Sequence, residues 1–504
     1  MDKLFKIKKN DNVGIALKAI TENEIVKSAG TNIKIKTNIS PGHKIALKDI
    51  KKGEKIIKYN YPIGTAIENI NRGDWVHTHN LKTDLKGKLK YKYNPEKLDK
   101  KISKNNEEDI PHFKGYKREN GEIGIRNEIW VLPTVGCVNK NIEKMVNDAR
   151  LKYINEMKNQ NFDGIFAYTH PLGCSQGSED LKNTQKILSN LIKHPNAGGV
   201  LVVGLGCENN QIKDFKKYLG NYNENRVKFI NLQYIKNGNK TGINKIGNLI
   251  NYARNFIPEN FPVSRLKVGL KCGGSDGFSG ITANPLLGKF SDKLVSLGGT
   301  TILTEVPEMF GAEEILMNRA HNKKVFNKIV DLINNFKDYL LAHGENLYEN
   351  PSKGNIEGGI TTLEEKSLGN IEKGGCSPVC GVSSYGEKIT NSGLQLLSGP
   401  GNDLVSTTNL TAAGAQLILF TTGRGTPFGA PVPTVKISTN SDLFNKKNNW
   451  IDFNSGQLLE NNNMKELSKM FFEKILKIAS CEEKAKNEIN GCKEITIFKK
   501  GVTL

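Results

Sequence analysis

The chain has 504 residues, which is too long for one ordinary hydrophobic core and predicts about three domains. No apolar stretch approaches the ~20 residues that span a bilayer, and the opening MDKLFKIKKNDN lacks the apolar core of a signal peptide, so we expect a cytoplasmic protein without a membrane partner. The net charge of +20 is spread over every segment without a basic stripe interleaved with aromatic residues, which argues against nucleic acid as a partner.

Residues 1–82 predict a small, mostly β module. Asn12–Ile20 and Thr31–Ile39 alternate apolar and polar positions, and turn signals such as Pro41-Gly42 separate such runs. The module ends in a segment where strand alternation would place His77 and His79 on one face. Two imidazoles on one face could share a ligand, a metal or a proton-transfer task, and a pair of solvated edge-strand histidines is the alternative.

Residues 83–112 predict a flexible linker. The segment is dense in Lys, Asn, Glu and Asp and has no apolar periodicity, so it cannot bury a core of its own. The linker divides the β module from two further predicted domains, at residues 113–263 and 264–504.

From Phe113 onward, apolar strands alternate with amphipathic stretches, which predicts an α/β fold with Rossmann-like parallel sheets. The clearest buried strands lie at 199–204, 266–270 and 416–420. The predicted helices are Asn141–Gln160, Ser178–Lys193, Gln211–Leu219, Pro285–Leu297 and Glu313–His343.

Four cysteines follow short apolar runs at a glycine-marked exit: Cys137, Cys174, Cys207 and Cys272. Ligands of open α/β sheets bind at the carboxyl ends of the strands, so the four thiols are candidates to meet in one crevice and bind a soft or borderline metal. The alternative is that each cysteine is a small buried hydrophobe behind a turn.

The remaining cysteines give a weaker signal. Eight cysteines are too sparse for a disulfide scaffold in so long a chain. Cys376 and Cys380 have the spacing of half a zinc site but no matching second pair, and buried thiols in a Pro-containing loop are the alternative. Cys481 and Cys492 lie in a polar C-terminal segment and are interpreted as structural.

Two glycine-rich loops, at 273–277 and 423–426, each follow a strand and could bind anionic oxygens through their backbone amides. Neither loop matches the dinucleotide fingerprint or the Walker loop, so no nucleotide cofactor is expected. Arg424 lies between two glycines and could fork onto a carboxylate, and Arg126 offers the same chemistry; a surface arginine is the alternative for each.

Longer motifs resemble those of a known family. Residues 13–80, with GIALKAI and GDWVHTHNL, are similar to the antifreeze-like SAF module that begins altronate dehydratases of the UxaA family. The segments IRNEIWVLPTVGC, THPLGC, GLKCGGSDGFSGITANP and LFTTGRGTPFGAPVPTVKISTN resemble the body of the same family, which also includes galactarate dehydratase. The resemblance spans nearly the whole chain in order.

The resemblance implies a hydro-lyase that takes D-altronate to 2-dehydro-3-deoxy-D-gluconate in hexuronate catabolism. It also implies a dependence on Fe²⁺, with Mn²⁺ or an iron–sulfur cluster as alternatives. Such a reaction needs a base for the proton next to the carboxylate, a group that stabilises the enolate, and an acid for the 3-hydroxyl. A small sugar acid is the expected partner, and a homo-oligomer is compatible with the sequence.

Individual residues receive roles by motif position. His77, His79, Lys271 and Asp276 are predicted to be catalytic, and Arg126 and Arg424 to bind the substrate. The predicted metal ligands are Cys137, Cys174, Cys207, Cys272, His170 and Glu208.

Two alternatives stay open. A related lyase could act on galactarate or on a sulfonated hydroxy acid, which a substrate panel would reveal. A non-catalytic sugar-acid or nucleic-acid binder belongs to another class, and it predicts metal-independent binding, with a steep salt dependence if the ligand is nucleic acid.

Overall fold

The computed structural model describes residues 3–28, 30–96, 110–158, 161–347, 349–460 and 463–503. Part of the predicted linker, residues 97–109, therefore lies outside the described residues. Its first half, residues 83–96, packs against the rest of the chain: Leu85, Tyr91 and Tyr93 contact the main hydrophobic core. The Tyr91 hydroxyl also donates to Glu313 at 2.7 Å. These side chains give the segment enough contacts to lie ordered on the surface, despite its polar composition.

The N-terminal module is built from short antiparallel strands, as the alternating pattern predicted. Apolar side chains of its strands and turns form its interior, Ile20, Ile33 and Ile45 among them. The strands are β1 (Leu4–Phe5), β2 (Val13–Ala16), β3 (Ile25–Ser28), β4 (Thr31–Lys34), β5 (Lys44–Ala46), β6 (Lys55–Lys58), β7 (Tyr61–Ala66), β8 (Trp75–Val76) and β9 (Leu81–Lys82).

A first α/β unit follows. Its strands are β10 (His112–Lys117), β11 (Ile123–Gly124), β12 (Glu128–Pro133), β13 (Gly164–Ala167), β14 (Ala197–Gly204), β15 (Val227–Asn231) and β16 (Glu259–Pro262), and its helices are α1 (Asn139–Lys152), α2 (Ser178–Ile192), α3 (Ile212–Leu219) and α4 (Gly238–Ala253). In the described residues, β13-β12-β14-β15 pair in that order as a parallel sheet, here called the first sheet. β10 joins β11 and β16 in a separate antiparallel sheet.

The second α/β unit contains the larger parallel sheet. Its strands are β17 (Lys267–Cys272), β18 (Thr300–Leu303), β19 (Val379–Ser383), β20 (Gly393–Leu397), β21 (Leu417–Thr422), β22 (Thr434–Ser438) and β23 (Phe453–Asn454). Within the described chain they pair in the order β19-β20-β18-β17-β21-β22-β23, here called the second sheet. The helices are α5 (Ala283–Ser296), α6 (Glu313–Asn318), α7 (Lys323–Ala342), α8 (Lys353–Glu357), α9 (Leu363–Ile371), α10 (Asp403–Ala412), α11 (Ser441–Lys446), α12 (Met464–Ala479) and α13 (Lys486–Ile489).

The predicted fold class is confirmed: a small β module precedes parallel α/β sheets. The long helix predicted over Glu313–His343 is instead two helices, because Asn322 caps α7 by accepting a hydrogen bond from the Val325 backbone N–H at 3.0 Å. No helix in the described part of the chain is both long and apolar enough to cross a membrane.

Candidate active site

A cavity of about 440 Å³ opens at the carboxyl edge of the second sheet. The loops that follow β17, β18 and β20 form one wall, and residues around the start of α8 together with Lys366 of α9 form the other. The central strand β17 pairs with both β18 and β21, so the cavity lies at the sheet edge where α/β enzymes bind their ligands.

A larger cavity of about 630 Å³ lies between α2 and α7, and it is lined by Lys328, Asp331 and Lys500 among others. We place the chemistry at the smaller cavity, because buried charged groups of both signs meet there.

Buried charges converge on Glu305 beside the smaller cavity. Lys373 Nζ lies 2.6 Å from one carboxylate oxygen of Glu305, and Lys271 Nζ contacts the other. Lys271 also pairs with Asp403 at 2.8 Å, and Asp403 lines the cavity with one third of its side chain exposed. Glu305 itself has a left-handed backbone conformation, with φ of 70°. A residue other than glycine is strained there, and such strain concentrates at functional sites.

Cys272 and Glu308 lie next to this cluster and both line the cavity. Burial, followed by the charge of Glu305, raises the pKa of the Cys272 thiol to about 12, so the thiol is neutral at physiological pH. Burial opposes the charged form of Glu308, but Lys366, 3.0 Å away, and then Lys271 and Lys373 outweigh it and lower the pKa of Glu308 to about 2. The Cys272 Sγ lies 3.5 Å from a Glu308 oxygen, so a neutral proton donor adjoins a charged carboxylate.

Within the described residues, Cys272, Glu305 and Glu308 form the group whose ligand atoms, all within 4.8 Å of one another, could hold a metal ion. Their present bonding does not fit that role. Lys271 and Lys373 form ion pairs with the two oxygens of Glu305, and Lys366 forms one with Glu308. The Cys272 thiol is protonated. A divalent ion would have to displace a buried ammonium group from its carboxylate, which is costly in a site that excludes water.

The predicted histidines lie where the N-terminal module meets the second unit. β8 ends at Val76 and the chain turns, so the strand alternation expected for His77 and His79 does not extend to them: His77 is buried and His79 is exposed. Both rings pack against Trp75, with centroids 4.8 and 5.1 Å away. Burial and then Lys44 lower the pKa of His77 to about 4, so its ring is neutral near pH 7. Among the described residues, the buried Nδ1 atom of His77 has no hydrogen-bond partner.

The histidines lie next to α8, a helix that also contributes to the wall of the cavity. His43, whose ring lies 5.2 Å from that of His77, contacts the carbonyl of Glu357 at 3.1 Å. Glu357 ends α8, and Asn355 within the same helix lines the cavity. Gly277 allows the docking, because a Cβ at that position would lie 2.0 Å from the Gly42 carbonyl oxygen.

Arg424 lies beside the cavity, next to Gly274, which lines it. Its side chain is half exposed, and its polar contacts within the described part of the chain are long, 3.4 Å to the Gly354 carbonyl and 3.4 Å to Glu357. Its guanidinium is therefore available to a ligand. Asp276 is instead buried and accepts hydrogen bonds from Thr439 at 2.8 Å and Ser279 at 3.1 Å, and burial raises its pKa.

Arg126 lies elsewhere, buried just before β12. Its guanidinium forks onto Glu488 of α13 with bonds of 2.7 and 2.8 Å and also donates to the Ile125 and Ile478 carbonyls. Arg126 is therefore buried and paired with Glu488, so its guanidinium does not face the cavity as a substrate-binding group.

The four strand-end cysteines fall into two sets. Cys272 is buried in the second unit, whereas Cys137, Cys174 and Cys207 are exposed at the edge of the first sheet. His170 and Glu208 lie with the exposed set but are buried, and both have partners. The His170 ring accepts from the Leu172 N–H at 3.2 Å and contacts the Pro133 carbonyl at 2.9 Å. Glu208 accepts from Thr134 and from the Gly206 N–H, each at 2.6 Å.

Several charged residues of this cluster were not predicted as site residues from the sequence: Glu305, Glu308, Lys366, Lys373 and Asp403. Glu305 had a usable signal, because it follows the apolar strand β18 just as the cysteines follow theirs. Lys366 and Lys373 had none, since a lysine in or after a helix is usually solvated.

Three domain models of one protein family match successive parts of the chain. Residues 2–84 match the altronate/galactarate dehydratase SAF domain, residues 115–254 the second domain of D-galactarate dehydratase/altronate hydrolase, and residues 263–503 the C-terminal D-galactarate/altronate dehydratase domain. The chain is 50% identical to an altronate dehydratase of Bacillus subtilis (strain 168) over 100% of both chains, and 47% identical to that of Escherichia coli (strain K12) over 99% of both. It is 30% identical to the galactarate dehydratase (L-threo-forming) of Escherichia coli (strain K12), over 95% of this chain and 93% of that one.

Proposed function

Because this chain belongs to the altronate/galactarate dehydratase family, we propose that it is a hydro-lyase that converts D-altronate to 2-dehydro-3-deoxy-D-gluconate and water. The choice of D-altronate as the substrate is supported by the sequence identity over the full length, which is 50% and 47% to altronate dehydratases but 30% to a galactarate dehydratase. The buried charge cluster beside the 440 Å³ cavity supplies the chemistry.

Arg424 binds the substrate carboxylate in this proposal. Its side chain is half exposed beside the cavity, and its contacts to the described residues are long, so it can form the paired hydrogen bonds that a carboxylate accepts. Lys271 and Lys373 stay charged, because Glu305 and the neighbouring acids raise the pKa of each against the effect of burial. Their positive field would stabilise the negative charge that develops when the proton on C2 leaves.

Glu308 is our candidate base and Cys272 our candidate acid. Glu308 is charged and takes the C2 proton, the C2–H electrons form the C2–C3 double bond, and the C3–O bond breaks. The neutral Cys272 thiol gives its proton to the departing hydroxyl, which leaves as water. The proton on Glu308 then returns to Cys272 across their 3.5 Å contact, and the enol becomes the 2-keto acid.

His77 and His79 stay proposals for acid–base work. The neutral ring of His77 could relay a proton if α8 shifts, whereas exposed His79 could meet the substrate directly. The Cys272 group holds no iron in this scheme, because lysines pair with its carboxylate oxygens.

The test is a substrate panel. Anaerobically purified, iron-reconstituted protein is incubated with D-altronate or galactarate, and formation of 2-keto-3-deoxy acid is followed, with a chelator-treated control. We expect product from altronate at a much higher kcat/KM than from galactarate. Equal or greater activity on galactarate would contradict the assignment of the substrate, and no product from either acid would contradict dehydration.

Cys272→Ala tests the acid. Loss of a positioned general acid lowers kcat by about 10²–10⁴-fold. Cys380→Ala is the matched control, since Cys380 is a partly buried thiol in β19 that does not line the cavity. An undiminished kcat in Cys272→Ala, with the control also active, would exclude the thiol from proton transfer.

A further inference from the structure

Three cysteines that the proposed reaction does not use lie on three neighbouring strand ends. Cys137 follows β12, the loop after β13 carries Cys174, and Cys207 follows β14. β12 pairs with both β13 and β14, and all three strands run parallel, so their carboxyl ends lie side by side. All three thiols are exposed. The topology thus brings three free thiols to one edge of the first sheet.

Hydrogen bonds tie the three loops to one another. The Gly136 N–H donates to the Leu172 carbonyl at 2.8 Å, which joins the Cys137 loop to the Cys174 loop. The Asn210 N–H donates to the Gly173 carbonyl at 3.0 Å, which joins the Cys174 loop to the Cys207 loop. Asn210 also donates to the Thr134 carbonyl at 3.1 Å, which closes the ring.

The two residues predicted as ligands beside these cysteines hold the loops in place. Glu208 bridges the Cys207 loop to Thr134 of the Cys137 loop, and His170 bonds the Pro133 carbonyl while it accepts from its own loop. Gly173, with φ of 107°, lets the Cys174 loop approach, because a Cβ there would lie 2.1 Å from the Thr134 carbonyl oxygen. Buried polar side chains thus fix three loops that carry exposed cysteines.

The three thiols do not form a preformed site for a single ion. A single ion bound by three thiolates at about 2.3 Å brings the sulfur atoms within about 4 Å of one another. Among the described residues, no group made of these three thiols lies within 4.8 Å. A polynuclear cluster holds its cysteine sulfurs further apart, because each thiolate binds a different iron. The Gln233 amide also points at the Cys207 sulfur, 3.4 Å away, and hydrogen bonds to sulfur are one means by which proteins tune such clusters.

We propose that Cys137, Cys174 and Cys207 bind a [4Fe–4S] cluster with three protein ligands, which leaves the fourth iron open to water or to an oxygen ligand. His170 and Glu208 are positioning residues in this proposal. The inference does not rest on the dehydration of altronate: a protein that holds the cluster and leaves altronate unchanged would support this site and contradict the proposed function.

The test is anaerobic reconstitution of the full chain with ferrous iron and sulfide, followed by desalting. We expect about four irons and four acid-labile sulfides per chain, broad visible absorption, and an electron paramagnetic resonance signal after reduction. Cys137→Ser, Cys174→Ser and Cys207→Ser should each lower the bound iron and sulfide several-fold. Because these thiols are exposed, each variant should keep the urea unfolding midpoint of the parent.

Cys376→Ser is the matched control, since Cys376 is also exposed but lies in the second unit, and it should retain the full cluster. Iron bound without labile sulfide would overturn the proposal, because it indicates a single ion. A cluster that survives all three substitutions, or that is lost only in Cys272→Ser, would overturn the assignment of the ligands.

Discussion

At the scale of single residues, one carboxylate organises the proposed catalytic cluster. Glu305 is fully buried between Lys271 and Lys373 and pairs with both, while Asp403 is a second partner of Lys271. Removing one partner of a buried ion pair typically costs about 3–5 kcal/mol, because the remaining charge stays in a site that excludes water. The backbone of Glu305 is also in the left-handed region, with φ of 70°, which is strained for a residue other than glycine.

Glu305→Gln tests this arrangement. We expect the free energy of unfolding to fall by about 3–5 kcal/mol, and kcat on altronate to fall by at least a factor of ten in the folded fraction. Lys271 and Lys373 would then lack the carboxylate charge that orients their ammonium groups. Urea denaturation and steady-state kinetics measure the two effects.

Glu313→Gln provides the control. Glu313 is also buried and pairs with Lys337 at 2.9 Å, away from the cavity. It should lower stability by a similar amount and leave kcat unchanged. If both variants lose activity equally, Glu305 has no role beyond stability.

At the scale of elements, a buried ion triplet fastens the β module to helix α9. Lys44 of β5 and Lys58 of β6 lie 2.9 and 2.7 Å from the carboxylate oxygens of Glu365. Burial opposes the charged form, but the two lysines outweigh it and hold the pKa of Glu365 well below its ordinary value of 4.5. The contribution of Glu365 to stability is therefore full above pH 4.5 and is lost as the pH falls toward its pKa in the folded protein.

Glu365→Gln should remove this contribution at every pH. At pH 7 we expect the variant to be about 3–5 kcal/mol less stable than the parent, because two buried ammonium groups lose their partner. Below pH 4.5 the gap should shrink by about 1.4 kcal/mol per pH unit, because only the parent loses stability on protonation of Glu365. Urea denaturation across this pH range measures the gap.

Glu364→Gln is the neighbouring control. Glu364 accepts from Thr83 and from the Asp84 backbone N–H, and these bonds involve no lysine. The substitution should cost less, and its gap to the parent should not shrink as acid is added. A constant gap for Glu365→Gln would contradict the ion triplet.

At the scale of the whole molecule, the C-terminal segment ties the two α/β units together. After the second sheet ends, α13 presents Glu488 to Arg126, and Lys493 contacts Glu128 of β12. Ile495 and Ile497 then enter the core of the first unit beside Trp130. Buried ion pairs thus join the C-terminal segment to the first α/β unit.

Arg126→Lys distinguishes this structural role from the substrate-binding role that the sequence predicts. Lysine cannot form both bonds to Glu488, so we expect a loss of about 1–3 kcal/mol in the free energy of unfolding and an unchanged KM for altronate. Arg424→Lys should show the reverse, a raised KM and unchanged stability. A raised KM with full stability in Arg126→Lys would restore the predicted role.

The classes of element, the parallel sheets and the family could all be predicted from the amino-acid sequence. Apolar runs that stop at glycine are local signals, and strand ends of a parallel sheet share an edge whatever the side chains are. That rule placed Cys137, Cys174 and Cys207 at one edge. It could not separate them from Cys272, because nothing local records which of two sheets a strand joins.

Which charges are buried together depends on long-range folding, and the sequence gives no sign of it. Lys271, Glu305 and Lys373 come from a strand, a loop after another strand and a segment after α9, more than thirty residues apart at each step. Their pairing depends on how the second sheet orders its strands and where α9 docks. Arg126 looked free for a ligand because its partner, Glu488, lies near the far end of the chain, and only folding brings the two within 2.7 Å. Long-range pairing of charges leaves no periodic trace in a sequence, whereas burial of apolar faces does.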